Sequence, residues 1–203
     1  MLVAVLLAVS IPLGTSLSAQ PSSGDFAGRL VEAAIERTSH RVTYDGAYRR
    51  LDYPGGDVPD SVGVCTDVVI RSYRALGIDL QQTVHEDMSA AFTAYPALWN
   101  LRRPDSNIDH RRVPNLQVFF KRNGDTLPMT RDPHEYSAGD LVTWMLPGNL
   151  PHMGIVVDRR TADGDRPLIV HNIGAGPRLE DILFAFPITG HYRYEGPSRS
   201  ESQ

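Results

Sequence analysis

Only one cysteine, Cys65, occurs among 203 residues, which excludes an intramolecular disulfide framework. No apolar run reaches the roughly 20 residues that a membrane-spanning helix needs. The opening MLVAVLLAVSIPLG is apolar only through Leu13, is interrupted by Ser10, and ends around Pro12 and Gly14. A broad basic field is also missing. The formal net charge is −4 and the arginines are spread along the chain, with Arg102/Arg103 and Arg111/Arg112 as two local pairs close to each other in sequence. Electrostatic binding to nucleic acid therefore has no support, although those two pairs are equipped to grip a carboxylate or phosphate. Internal repeats, low-complexity tracts and linkers are absent as well, so one domain is expected.

The first 24 residues, MLVAVLLAVSIPLGTSLSAQPSSG, turn from apolar to small and polar at Ser16, Ser18 and Ala19, the sizes a signal peptidase accepts. No Lys or Arg precedes the apolar run, so the usual positive flank is missing. Residues 1–19 nonetheless read as an export signal, and 20–203 as a single domain that is periplasmic or secreted, with no stable membrane span once the signal is removed. Export delivers the chain to an oxidising compartment, where cysteines ordinarily pair. A lone one is left with three roles: an intermolecular disulfide, an inert buried thiol, or a nucleophile.

Along the mature chain, Phe26, Leu30, Ala33 and Ala34 recur at helical spacing, with Ser22 and Asp25 fitting a capping box, and predict a helix of about four turns. RVTYDGAYRRLDYPGGDVPDSVGV is loop chemistry with a short strand at Val42 to Tyr44. From Cys65 the pattern is helical, with Val68, Val69, Tyr73 and Leu76 on one side and Gly77 as C-cap. Leu80, Val84, Met88 and Ala91 form the stripe of a helix after Asp79. NLQVFFKRNG reads as a short helix ended by Asn123 and Gly124. Then the period changes. GDLVTWML, HMGIVVDR, RPLIVHNIG and GHYRY are short β-branched and aromatic runs between turn clusters, read as consecutive antiparallel strands. Helices first and strands after give an α+β class, with N-terminal helices packed on a C-terminal antiparallel sheet.

Cys65 follows SVGV and opens TDVVIRSYRAL, so it stands at a helix N-terminus, where the backbone dipoles favour a thiolate and the free amides of the first turn can receive an oxyanion. A thiol nucleophile needs a base on a rigid element. His152 opens one strand and His171 closes the next; in adjacent antiparallel strands these ends are neighbours. One imidazole would take the thiol proton while the other orients it, with Asn172 as the alternative orienter. Asp67 suits a cap on the helix amides or, less simply, a contact to substrate. Arg111 and Arg112 suit either recognition of a substrate carboxylate or a loop latched by a salt bridge. His85 reads as an exposed helical residue, and the seven scattered histidines establish no metal site.

The order GVCTDVVIRSYRALGI, then AGDLVTWMLPGNLPHMGIVVD, then LIVHNIG resembles the papain-like NlpC-type cell-wall cysteine peptidase superfamily, and more closely an uncharacterised bacterial domain family of exported proteins within it, including the NIDHRRVPNL segment. The likeness spans about Tyr44 to Tyr194. It implies a papain-like NlpC-type fold, Cys65 as nucleophile, His152 as base, His171 as third member, and a tyrosine upstream of the cysteine, by place Tyr53, at an oxyanion site. Val64 before the cysteine and Thr66-Asp67 after it depart from the superfamily's usual Asp-Cys-Ser-Gly. The expectation is an exported thiol hydrolase that cleaves an amide bond in peptidoglycan peptides, with no cofactor and no metal. A transpeptidase, a non-catalytic module that binds wall fragments in the same groove, and a metal-dependent hydrolase using His152 and His171 are the alternatives.

Overall fold

The computed structural model describes residues 23–197, so the expected export signal and Ser22 of the expected capping box lie outside the described residues. The first helix, α1 (Ser23–Arg37), buries Leu30, Val31 and Ala34. A two-residue strand β1 (Thr43–Tyr44) pairs in parallel with β2 (Val62–Gly63), a partner that the loop-like composition between them concealed. α2 (Cys65–Ala75) follows at once. It ends in a Schellman motif: the Gly77 N–H donates to the Arg74 carbonyl and the Ile78 N–H to that of Tyr73, while Gly77 takes φ +82°. In α3 (Leu80–Ala90) the Asp79 carboxylate accepts the Gln81 N–H as N-cap, and Leu80, Val84 and Met88 are buried as their spacing predicts. Ala91, the last member of that stripe, falls beyond the helix end, where a 3₁₀ turn at Phe92–Ala94 takes over. α4 (Val113–Asn123) starts two residues before the expected segment because Pro114 suits a first helical turn.

Six strands form the main sheet: β3 (Asp125–Thr126), β4 (Leu141–Leu146), β5 (Leu150–Arg160), β6 (Pro167–His171), β7 (Arg178–Glu180) and β8 (Ile188–Arg193). Their spatial order is β3-β8-β4-β5-β6-β7, and every pair is antiparallel. The class is thus mixed α+β, four helices and an antiparallel sheet. Composition hid the short edge strands β3 and β7. The expected chain-order sequence of strands also breaks at GHYRY, because β8 crosses back to pair with β4 instead of following β6.

Alternation along β4 and β5 divides the interior in two. On one face Leu141, Met153, Ile155 and Val157 meet Leu30, Val69 and Tyr73 of the helices. On the other, Val142, Trp144, Val156 and Ile169 are covered by Leu183 and its neighbours in the segment between β7 and β8, and the Trp144 indole N–H donates to the Leu183 carbonyl at 2.9 Å. Each fully buried aliphatic or aromatic side chain is worth about 1.5–3 kcal/mol of transfer free energy. A buried charge cluster fastens β4 to β8: Asp140 accepts from Arg193 Nε at 2.8 Å, and its other oxygen lies 2.9 Å from His191 Nε2. His191 Nδ1 faces the Pro128 carbonyl at 2.8 Å, and Tyr136 stacks on the ring. The Asp of the GDLV run therefore serves the fold.

Gly154 sits opposite His171 in the β5–β6 ladder. A Cβ there would come 2.8 Å from the Val170 carbonyl oxygen and 3.0 Å from the His171 Cβ. Gly154→Ala is expected to lower the unfolding free energy by about 1–3 kcal/mol, read by urea denaturation, because backbone cannot move aside as a flexible side chain does.

Candidate active site around Cys65

Cys65 is the first residue of α2, and its sulfur faces the sheet where one strand runs out. β6 stops at His171, opposite Gly154. On β5 the Val156 N–H donates to the Asp140 carbonyl on the β4 side, so by alternation the Met153 N–H points to the β6 side, beyond the end of that strand. The Cys65 sulfur takes that amide, and the amides of Thr66 and Cys65 itself also reach it. The residue before Met153 is His152, buried on the face shared with Trp144. His152 Nε2 lies 3.2 Å from His171 Nδ1, with the rings nearly perpendicular at 85°. Beyond it, His171 Nε2 is 3.0 Å from Glu180 Oε2, an ion-pair distance at an angle short of a formed hydrogen bond. Asn172 turns instead to its own loop, accepting the Gly174 N–H.

The helix start is held from behind. Asp67 Oδ2 accepts the Val64 N–H at 2.6 Å, and the same carboxylate receives Arg111 Nε and Nη2, each at 2.9 Å. Both side chains are nearly fully buried, 2% and 3% exposed. Arg111 Nη2 also donates to the Asp45 carbonyl and Nη1 to that of Ala47, while the Thr66 hydroxyl donates to the Arg111 carbonyl. Of the two expectations for Arg111, the latch is what the geometry presents.

A family model described as a domain of unknown function, DUF1287, matches residues 31–194. The chain belongs to the DUF1287 family. A relative from Escherichia coli (strain K12), "Uncharacterized protein YijF", is 52% identical over 165 residues, which cover 81% of this chain and 80% of the relative.

In this DUF1287 domain the thiol opens onto a cleft of about 630 Å³ whose walls include Tyr44, Tyr48, Trp99, Arg112 and Pro151. The tyrosine beside the sulfur is Tyr44, whose hydroxyl is pushed up to about 12 by burial and by the adjacent Cys65. Tyr53 is not there. It packs edge-on against His85, with ring centroids 4.9 Å apart, and is 42% exposed. The reason is chain direction: β1 pairs alongside the strand leading into Cys65 and so carries Tyr44 to the helix start, whereas Tyr53 lies in the following turn. Arg112 does line the cleft, but it is paired with Asp109 at 3.0 Å and lies 4.0 Å over the Trp99 ring. Trp99 and Asn100 hold left-handed backbone, φ 59° and 52°, a conformation costing about 1–2 kcal/mol for non-glycine residues. Neither Tyr44 nor Trp99 belongs to a sequence motif. Among the described residues, no group of three or more His, Cys, Asp and Glu side chains could hold a metal ion.

Electrostatics here run against the dipole argument. Burial pushes the Cys65 thiol up to about 11, outweighing the opposing amide of Met153. Burial, reinforced by His171, pushes His152 down to about 3, and burial also lowers His171 against the pull of Glu180. The resting pair is a neutral thiol and a neutral imidazole. Alkylation of Cys65 by iodoacetamide is therefore expected to rise about tenfold per pH unit between roughly pH 7 and 9; a plateau from pH 6 upward would mark a preformed thiolate.

A histidine held low in the fold stabilises it above the unfolded value near 6.5 and loses that contribution as pH falls. Between pH 7 and pH 5 the unfolding free energy should drop by about 2 kcal/mol on account of His152. Urea titrations of His152→Gln at both pH values should show a correspondingly smaller drop.

Proposed function

We propose that this DUF1287 domain is an exported cysteine hydrolase of NlpC type that cleaves an amide bond, with peptidoglycan peptides as the substrate class. What supports the reading is a helix-initial thiol set against the backbone of Met153, the residue next in the chain to His152 of a buried imidazole pair. His152 Nε2 is engaged by His171, so in this reading Nδ1 is the nitrogen that must reach the thiol, by a turn of the ring toward Cys65. Attack begins from neutral partners. As the Cys65 sulfur bonds to the carbonyl carbon, its proton passes to His152, and the carbonyl electrons move onto oxygen near the first-turn amides of α2. Collapse of that tetrahedral species expels the amine, which takes the proton from His152. Water, deprotonated by the same imidazole, then hydrolyses the thioester. The departures from Asp-Cys-Ser-Gly have a physical role in this reading: Asp67 caps the helix and carries the Arg111 latch.

A second reading, a module that binds wall fragments without cleaving them, is favoured by the burial of the sulfur and its upward-shifted ionisation. Purified protein and Cys65→Ala incubated with sacculi, followed by mass spectrometry of the soluble fragments, distinguish the two. The hydrolase reading expects new fragments only with the intact thiol, loss of at least about a hundredfold in His152→Ala, and a smaller loss in His171→Ala. Identical fragment profiles from wild type and Cys65→Ala would leave the binding module standing.

A further inference from the structure

Of the arginines at 102, 103, 111 and 112, the fold consumes only two. Arg111 is locked to Asp67, and Arg112 to Asp109 and the Trp99 ring. Arg102 and Arg103 instead turn, with Arg50, into a second pocket of about 780 Å³ that also takes in His85, Ser89 and Tyr48. None of these three guanidinium groups has a carboxylate partner among the described residues. The one acidic side chain lining this pocket, Asp105, is already occupied: its oxygens accept the Tyr48 hydroxyl at 3.1 Å and the Asn107 backbone and side-chain amides at 3.0 and 2.8 Å. Three exposed guanidiniums without an ion-pair partner thus line one cavity, in a chain whose net charge is −4. An oxyanion in such a cavity would accept forked N–H donors from more than one of them. Tyr48 lines both this pocket and the thiol cleft, so the two cavities share a wall.

We infer that the Arg50–Arg102–Arg103 pocket is an oxyanion-binding subsite, which receives a carboxylate or phosphate borne by the ligand whose scissile group lies at Cys65. That the oxyanion belongs to the ligand of Cys65 rests on the hydrolase reading. That the pocket binds an oxyanion does not.

Full-length Cys65→Ala protein, which cannot turn over a substrate by the thiol route, is titrated at low ionic strength with three probes: an N-acetylated dipeptide with a free carboxylate, its C-amidated twin, and inorganic phosphate. Backbone amide NMR shifts of Tyr48 and of residues 100–103 report binding. The peptide acid is expected to perturb them saturably and its amide not, which assigns the source as a carboxylate; saturation by phosphate alone assigns it as phosphate. The double variant Arg102→Ala/Arg103→Ala should weaken binding by about tenfold or more. Lys121→Ala/Arg159→Ala, which removes two exposed charges elsewhere, should leave it unchanged. The inference is overturned if neither anion gives saturable shifts at these amides, or if both double variants bind alike. Saturable binding together with sacculi left uncut by the wild type would remove the hydrolase reading and keep the subsite.

Discussion

The Asp67–Arg111 pair is the contact on which the site depends, because it ties together three segments far apart in the chain. Its carboxylate caps the start of α2, and its guanidinium grips the backbone at Asp45 and Ala47. Helix start, 3₁₀ turn and aromatic loop are thereby fixed relative to one another. A buried ion pair adds little net stability against a well-packed apolar substitute, since two charges must leave water. Its value lies in exclusivity: either charge left alone in the interior would cost about 3–5 kcal/mol, so arrangements that separate the three segments are strongly disfavoured. Tyr44 and Tyr48 are presented to the thiol cleft by the loop so held.

Position at a helix N-terminus and burial act on the Cys65 sulfur in opposite directions, and burial prevails. Partial charges at a helix end stabilise an anion by about 0.3–1 kcal/mol when exposed and up to about 2 when partly buried. Withdrawing a thiolate from water costs more than that, and here the result is a thiol pushed up to about 11. The same burial keeps His152 unprotonated. Both groups are neutral at rest, a condition in which the sulfur is shielded from casual oxidation.

How much could be read before the coordinates follows from which forces are local. The helix from Cys65, its glycine stop and the buried stripe of α3 are matters of spacing and capping within a dozen residues, and they stand where expected. The nearness of His152 and His171 was also legible, since it needs only two neighbouring antiparallel strands. Three features were not. The β1–β2 pairing joins two-residue strands across a glycine-rich loop, too short for any period to register, and it delivers Tyr44 rather than Tyr53 to the sulfur. The division of labour among the arginines depends on which carboxylates lie nearby in space. The ionisation of the thiol depends on solvent exclusion by β5, a property of packing that no local pattern encodes.

The β5–β6 hairpin has a further implication. Its ladder is regular from Gly154–His171 to Val156–Ile169, then shifts before Arg160 meets Pro167. The separation of 19 residues between the two imidazoles is thus the sum of a rigid inner part and an outer part made of bulge and turn. Insertions beyond the irregularity leave the imidazole pair where it is; a single-residue slip inside it would send one ring through to the helical side. The length of this hairpin tip is thereby uncoupled from the rung that faces Gly154.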